Sequence, residues 1–214
     1  MAEGAVVIIG AGGHAKVIIE LLRSSGVTIA GLTDADSTPR NVLGVPVLGD
    51  DGFLPMLLSQ GVRNAFVALG DNSLRLDIGA GLQALGFHLV NAISPRATIS
   101  PSARLGCGIA VMAGAVINAE AQIGDLAIIN TGAGIDHDTI LGAACHIGPG
   151  VAVAGGVRIG SCALLGVGSS VAPGRSVGEG AIIGAGACVV DDINPHVTAV
   201  GVPAIARRSP KVNR

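Results

Sequence analysis

Residues 123–166 read IGDLAIINTGAGIDHDTILGAACHIGPGVAVAGGVRIGSCALLG, and every sixth residue in them is Ile, Leu or Val. The register runs on in both directions. Ile93, Ile99, Leu105, Val111 and Ile117 precede it, and Val171, Val177, Ile183 and Val189 follow, giving seventeen positions without an insertion. Gly follows the aliphatic residue at eight of them, and Ala stands two residues before it at nine. This is a hexapeptide repeat, one of the β-helix signatures. Each unit supplies one short strand and one turn, with the aliphatic side chain pointing into a prism and a small residue where the chain bends. Three units close a coil, so residues eighteen apart stack. Spacing alone does not give the handedness of the coil, because parallel crossovers are normally right-handed.

Composition agrees with thin, regular layers. Trp and Tyr are absent, Phe occurs three times, Gly 34 times, and charged residues make up 13% of the 214. Such a core must be filled by Ile, Leu, Val and Ala. Mean hydropathy is high, +0.65, yet apolar runs such as Ala5–Ile9 stop at five residues, and a spanning helix needs about 20. The N-terminus shows no signal-peptide pattern. These readings predict a soluble, cytoplasmic protein without membrane insertion. A net charge of −2 offers no field for nucleic acid. Cys107, Cys145, Cys162 and Cys188 form no CxxC pair and read as small filler in a reducing compartment.

Upstream of Ile93 the grammar differs. AVVII (Ala5–Ile9) reads as a buried parallel strand, followed by GAGGHA and an amphipathic helix over 16–24. Strands are expected over 27–32, 65–69 and 87–90, with a helix over 73–85. Alternation of this kind argues for a small α/β domain with a parallel sheet. The organisation expected is therefore 1–90 as a Rossmann-like α/β half domain, 91–192 as the β-helix and 193–214 as a C-terminal tail.

GAGGHA (Gly10, Gly12, Ala15) fits the loose dinucleotide pattern, with Asp34 at the end of the next strand as a ribose ligand. Read literally it predicts NAD. Ninety residues cannot supply both mononucleotide halves, so the literal reading is rejected. The physics survives it: a Gly-rich turn lets a phosphate approach backbone N–H groups at a helix N-terminus.

Asp136-His137-Asp138 is the polar centre of an otherwise aliphatic region. An imidazole titrates near working pH, and a neighbouring carboxylate would orient it and strengthen it as a base. One coil above lie Gly155 and Gly156, which leave open surface for a ligand and backbone N–H groups for an oxyanion.

The motifs IIGAGGHAKV, LGVPVLGDD, ALGDN, the hexapeptides, INTGAGIDHD, CHIGPG and GVPA occur in this order over nearly the whole chain. In that order they resemble the hexapeptide-repeat acyltransferases that modify bacterial surface sugars. Among these the chain is most similar to the GDP-perosamine N-acetyltransferases, and it is also similar to bacillosamine-pathway N-acetyltransferases and sialic acid O-acetyltransferases. The resemblance implies a left-handed β-helix and a homotrimer with sites between subunits. It also implies acetyl-CoA as co-substrate with no metal, and a nucleotide-linked 4-amino-4,6-dideoxy sugar held by the N-terminal domain. It assigns His137 as general base and Asp138 as its partner. Some relatives carry Glu at the partner position, and Asp136 is the rival. It makes His146, Gly155, Val167 and Ala185 contacts to acetyl-CoA. It places Gly12, Gly13, His14, Asp34, Asp36 and Gly70 around the nucleotide sugar, with the choice between Asp34 and Asp36 open. Asn130 is a further polar candidate, and the basic end of the chain reads as a solvated tail or, through Arg207 and Arg208, as an attraction for CoA phosphates.

Three other functions compete. O-acetylation of a sugar such as sialic acid would use the same base on a hydroxyl. A zinc carbonic anhydrase needs three histidines, and the repeats offer His137 and His146, with His196 beyond them. A non-enzymatic structural trimer or sugar-binding module is the third, and the polar segment at 136–138 argues against a purely structural surface. The flat faces of the prism favour a trimer over a monomer, because packing three copies buries apolar face residues.

Overall fold

A computed structural model describes residues 4–207. The N-terminal domain contains β1 (Val6–Ile9), α1 (Gly13–Ser24), β2 (Ile29–Thr33), β3 (Asn41–Val42), β4 (Val45–Gly49), α2 (Leu54–Ser59), β5 (Asn64–Val67), α3 (Asn72–Leu85) and β6 (His88–Leu89). The sheet order is β3-β4-β2-β1-β5-β6, parallel except for the β3–β4 hairpin. β1 is central and buried along its length, as a continuous apolar run requires in a sheet covered on both faces. The chain leaves β1 toward β2 on one side and reaches β5 on the other, so a topological switch point opens at the C-terminal ends of β1 and β5.

Two features depart from the sequence reading. α1 begins at Gly13, three residues before the expected start, so the Gly-rich segment forms the first helical turn. Residues 41–59 contain a hairpin and a short helix that the reading did not assign. The hairpin turns at Leu43-Gly44, both at positive φ (48° and 78°). That is a mirror-image turn written without the Asn-Gly or Asp-Gly that normally signals it.

From Ala92 the chain forms seventeen two-residue strands, ending at Cys188–Val189. They stack with a rise of eighteen residues on three faces. The first face begins at Ala92–Ile93 and includes Ile128–Ile129 and His146–Ile147. The second includes Gly134–Ile135 and Ala152–Val153. The third includes Gln122–Ile123 and Ile140–Leu141. The second residue of each strand is the hexad aliphatic, and these residues form a continuous internal column with Ala115, Ala127 and Ala163 at the bends. The N-terminal domain sits on the lower first face, where α1 and β1 share a core with Ala92, Ala110 and Ile128.

The segment 193–207, read from sequence as part of a tail, is paired. Ile193 bridges Val177, Thr198–Val200 pairs with Ile182–Ile183, and Ile205–Ala206 folds back antiparallel. The last coil is two residues short, since Ile193 and Ala199 stand sixteen residues after Val177 and Ile183. The hexad register breaks at Pro195, which hid the closing coil. Arg207 is exposed and its N–H donates to Thr198 O at 2.7 Å; Arg208 lies outside the described residues. No helix among the described residues is long and apolar enough to cross a membrane.

Candidate functional site

His137 lies on the corner between the second and third faces, fixed by rungs on either side. Asp136 N–H donates to Val153 O (2.9 Å), Asp138 N–H to Ala119 O (3.1 Å) and Gly156 N–H to His137 O (2.9 Å). Asp138 takes a left-handed conformation, φ 58°, which Asp tolerates better than most residues. Its Oδ2 then stands 2.7 Å from His137 Nδ1. Asp136 has a different task. Its Oδ1 accepts the N–H of His137 at 2.8 Å and the side-chain amide of Asn118 at 3.0 Å. These two bonds hold the Asp136 carboxyl below its usual range. The Asp138 hydrogen bond, aided by the charge of Asp136, raises the His137 pKa.

The imidazole is open to solvent, with 61% of its side chain exposed. It lies over Gly155 on the next rung, where a Cβ would fall 2.7 Å from Cε1 and Nε2. Gly156 does not serve as the expected oxyanion donor, because its N–H is engaged by His137 O.

His146 is on the first face and half-buried. Its Nε2 is 3.2 Å from the Asn130 amide nitrogen, so it accepts there and carries any proton on Nδ1. Burial, then the positive charge of Arg75, lowers its pKa to about 4. His14, in the first turn of α1, is also lowered to about 4, by burial, then His146 and Arg75. Val167 and Ala185 are exposed on the corner between the first and second faces, one rung apart, with Gly186 N–H bonded to Val167 O at 2.8 Å. Within one chain His137 and Gly155 therefore stand on one corner, while His146, Val167 and Ala185 stand on another corner and its adjoining face. The second face runs between them and carries a shallow cavity of about 340 Å³ lined by Asn118, Asp136, Ala152 and Ser170.

In the N-terminal domain Gly12 and Gly13 are exposed, and a Cβ at either meets nothing within 4 Å. They form an open ledge where α1 starts, and no side chain caps the helix there. Asp34 latches this turn: Oδ2 accepts Ala11 N–H at 2.6 Å, and Arg40 lies 3.3 Å from Oδ1. Asp36 is more exposed and bonds Thr38 and Arg40. Gly70 opens onto a cavity of about 500 Å³ between the start of α3 and the first face, with Asp71, Asn72, Leu164, Glu179 and His196 in its walls.

Sequence reasoning missed Asn118, Asn72 and Arg75. Arg75 is 1% exposed and joins the two domains. Arg75, Gly79 and Leu82 form the buried stripe of α3, so helical periodicity could have flagged a charge on an apolar face.

Residues 5–80 match the family model of the PglD N-terminal domain. The whole chain is similar to solved structures. A histidine-to-alanine variant of GDP-perosamine N-acetyltransferase from Caulobacter crescentus, in complex with CoA and GDP-perosamine, is 59% identical. The match covers 97% of this chain and 99% of that one with a TM-score of 0.96. The acetyltransferase domain of PglB from Neisseria gonorrhoeae, in complex with acetyl coenzyme A, is 40% identical over 96% and 100% with a TM-score of 0.90. An uncharacterized protein, L142, of Acanthamoeba polyphaga mimivirus is 36% identical over 104 residues, a segment spanning 20% of its length. The stacked prism is accordingly a left-handed β-helix. Identity, near-complete coverage and a shared two-domain architecture together lead to one conclusion: the chain belongs to the hexapeptide-repeat sugar N-acetyltransferase family.

Proposed function

We propose that this protein transfers an acetyl group from acetyl-CoA to the 4-amino group of a nucleotide-linked 4-amino-4,6-dideoxy sugar of the GDP-perosamine type. In this reading it is a cytoplasmic homotrimer that supplies a bacterial surface polysaccharide such as an O-antigen. The observation that carries the reading is the exposed His137–Asp138 pair, 2.7 Å apart, set over a rung with no side chain at Gly155. The relatives bound to CoA with GDP-perosamine, or to acetyl coenzyme A, support the two substrates.

Asp138 holds Nδ1–H, so the lone pair of Nε2 faces the opening above Gly155. The sugar nitrogen attacks the thioester carbonyl, forming the N–C bond. Nε2 takes the proton that the nitrogen loses, and Asp138 stabilises the imidazolium. The tetrahedral intermediate collapses with cleavage of the C–S bond, and the imidazolium returns the proton to the departing thiolate. The base is thus regenerated in each turnover.

Gly12, Gly13 and His14 at the start of α1 and Gly70 after β5 border the crevice where a diphosphate would approach a helix N-terminus. Asp36 is the more accessible of the two acids for a ribose, with 65% of its side chain exposed against 21% for Asp34, although both pair with Arg40. The separation of His137 and Gly155 from His146, Val167 and Ala185 supports a site completed between subunits. In that arrangement one protomer contributes the base and its neighbour the acetyl-CoA face and the sugar domain.

The test is release of CoA thiol from acetyl-CoA with GDP-perosamine as acceptor and a hydroxyl sugar such as sialic acid beside it. Turnover should require the amine. His137→Ala should lower kcat by about 10²–10⁴-fold without changing the melting temperature, since the ring is exposed. Full activity in that variant would remove His137 as the base.

A further inference from the structure

One corner of the prism presents a ladder of carbonyl groups to the N-terminal domain. Leu126, Ala144 and Cys162 stand on successive rungs between the third and first faces. All three are non-glycine residues in the left-handed region, with φ of 60°, 52° and 57°. Their carbonyl oxygens are each taken by a side chain of α3. Arg75 Nε donates to Leu126 O and Nη2 to Ala144 O, both at 2.8 Å, and Asn72 Nδ2 donates to Cys162 O at 2.9 Å.

The other side of the same guanidinium holds the loop after β5. Nη1 donates to Leu69 O at 2.9 Å, Gly70 O at 3.3 Å and Asp71 O at 3.4 Å, and Nη2 also reaches Asn72 Oδ1 at 2.8 Å. One turn along α3, Gly79 lies directly against the Leu126 side chain, which a Cβ there would displace. The loop that carries Gly70 is thereby tied to three consecutive rungs of the prism. Burial lowers Arg75 only to about 10, so it stays charged at neutral pH.

We infer that Arg75 and Asn72 are positioning residues that fix the height of the substrate-binding domain on the β-helix, and with it the rung at which the sugar amine meets the acetyl group. The inference rests on the proposed delivery of the sugar from that domain to the prism. Successive rungs of a sheet are about 4.8 Å apart, and a misplacement of about 1 Å can cost on the order of 10²-fold in rate. The height of docking is therefore a catalytic variable. Arg is required because its planar fork reaches two rungs at once, and a single ammonium at the end of Lys cannot.

The experiment compares Arg75→Lys, Asn72→Ser and Arg75→Met with the full-length protein. For Arg75→Lys, kcat should fall by on the order of 10²-fold, and for Asn72→Ser by about tenfold. The KM for acetyl-CoA should change less than kcat, and the affinity for GDP by calorimetry should also fall by less than kcat, since Arg75 holds the Gly70 loop as well as the prism. A second readout does not depend on turnover: NMR titration of ¹³C-labelled histidine. His14 rides on the domain, faced by His146 and Arg75; His146 rides on the prism, faced by Arg75 and Asn130. In Arg75→Met both should titrate above about 4, since the facing positive charge is gone. In Asn72→Ser the charge remains, so a change at His14 reports movement of the domain against the prism.

Unchanged kcat in Arg75→Lys and Asn72→Ser would overturn the inference. A parallel fall of kcat, GDP affinity and melting temperature would overturn it too, by reducing both residues to a folding role. Asn72→Ser keeps the test open should Arg75→Lys not fold. If the wild type does not acetylate GDP-perosamine but His14 still moves in Asn72→Ser, the functional reading fails while the positioning role stands.

Discussion

Gly155→Ala separates catalysis from stability in a way the structure makes quantitative. The new Cβ would lie 2.7 Å from both Cε1 and Nε2 of His137 and 3.2 Å from Nδ1. Ordinary van der Waals contact begins at 3.4 Å, so something must give. The obstructing atoms are the tip of a side chain that is 61% exposed, and the ring can swing outward at little cost to folding. It cannot do so and keep the 2.7 Å bond to Asp138. A displacement approaching 1 Å costs on the order of 10²-fold in rate, and kcat should fall by that amount. Gly155 is not at a positive φ in the left-handed range, so alanine there stiffens the unfolded chain and stabilises by about 0.4–1 kcal/mol. The melting temperature should hold or rise slightly. Gly156→Ala is the control with the opposite signature: φ is 68° and a Cβ meets nothing within 4 Å. It should lower stability by about 1 kcal/mol and leave the imidazole in place. Thiol-release kinetics and thermal melting on both variants decide the matter. Wild-type kcat in Gly155→Ala, or a loss of activity that follows a drop in melting temperature, would refute the stacked-ring argument.

The remaining predictions concern protons and subunits. Because Asp138 raises the His137 pKa, the acidic limb of kcat/KM should lie above the ordinary histidine value. Asp138→Asn should move that limb to lower pH while reducing the maximal rate, as a pH–rate profile would record. His14 and His146 are depressed from 6.5 to about 4, so between these values the unfolded chain binds protons that the folded chain does not. Stability should therefore fall as pH drops from about 6.5 to 4, by on the order of 1.4 kcal/mol per pH unit for each histidine. Melting curves at fixed protomer concentration should show that slope flattened in His146→Gln. For the proposed trimer, light scattering should give three protomers per particle. Mixing inactive His137→Ala with a second inactive variant altered at His146 should restore partial activity through hybrid interfaces, and a monomeric active enzyme would contradict it.

The hexad made most of this architecture readable because each residue's task in it is local. An aliphatic at every sixth place fills one internal column, and the seventeen positions in the sequence are the second residues of the seventeen strands. Where the period stops, so does legibility: the closing coil borrows Ile193 and Ala199 at a spacing of sixteen, and no hexad count finds it. Residue type could name His137 but could not choose between Asp136 and Asp138, since both are one residue away. Backbone conformation makes the choice. At φ 58° Asp138 turns its carboxylate back toward Nδ1, while Asp136 spends its Oδ1 on the N–H of His137 and on Asn118. The same left-handed geometry recurs at Leu126, Ala144 and Cys162, where it turns out the carbonyls that Arg75 and Asn72 hold. The left-handed turn is general to the prism and recurs on all three corners, at Gly114, Gly132 and Gly150 as well; what differs is the residue it carries, an Asp beside His137 on one corner and backbone carbonyls facing α3 on another. In the proposed trimer those two corners belong to neighbouring subunits at each site. A change in corner backbone at 138 should then alter the pKa of the base, and a change at 126 or 144 should alter the delivery of substrate.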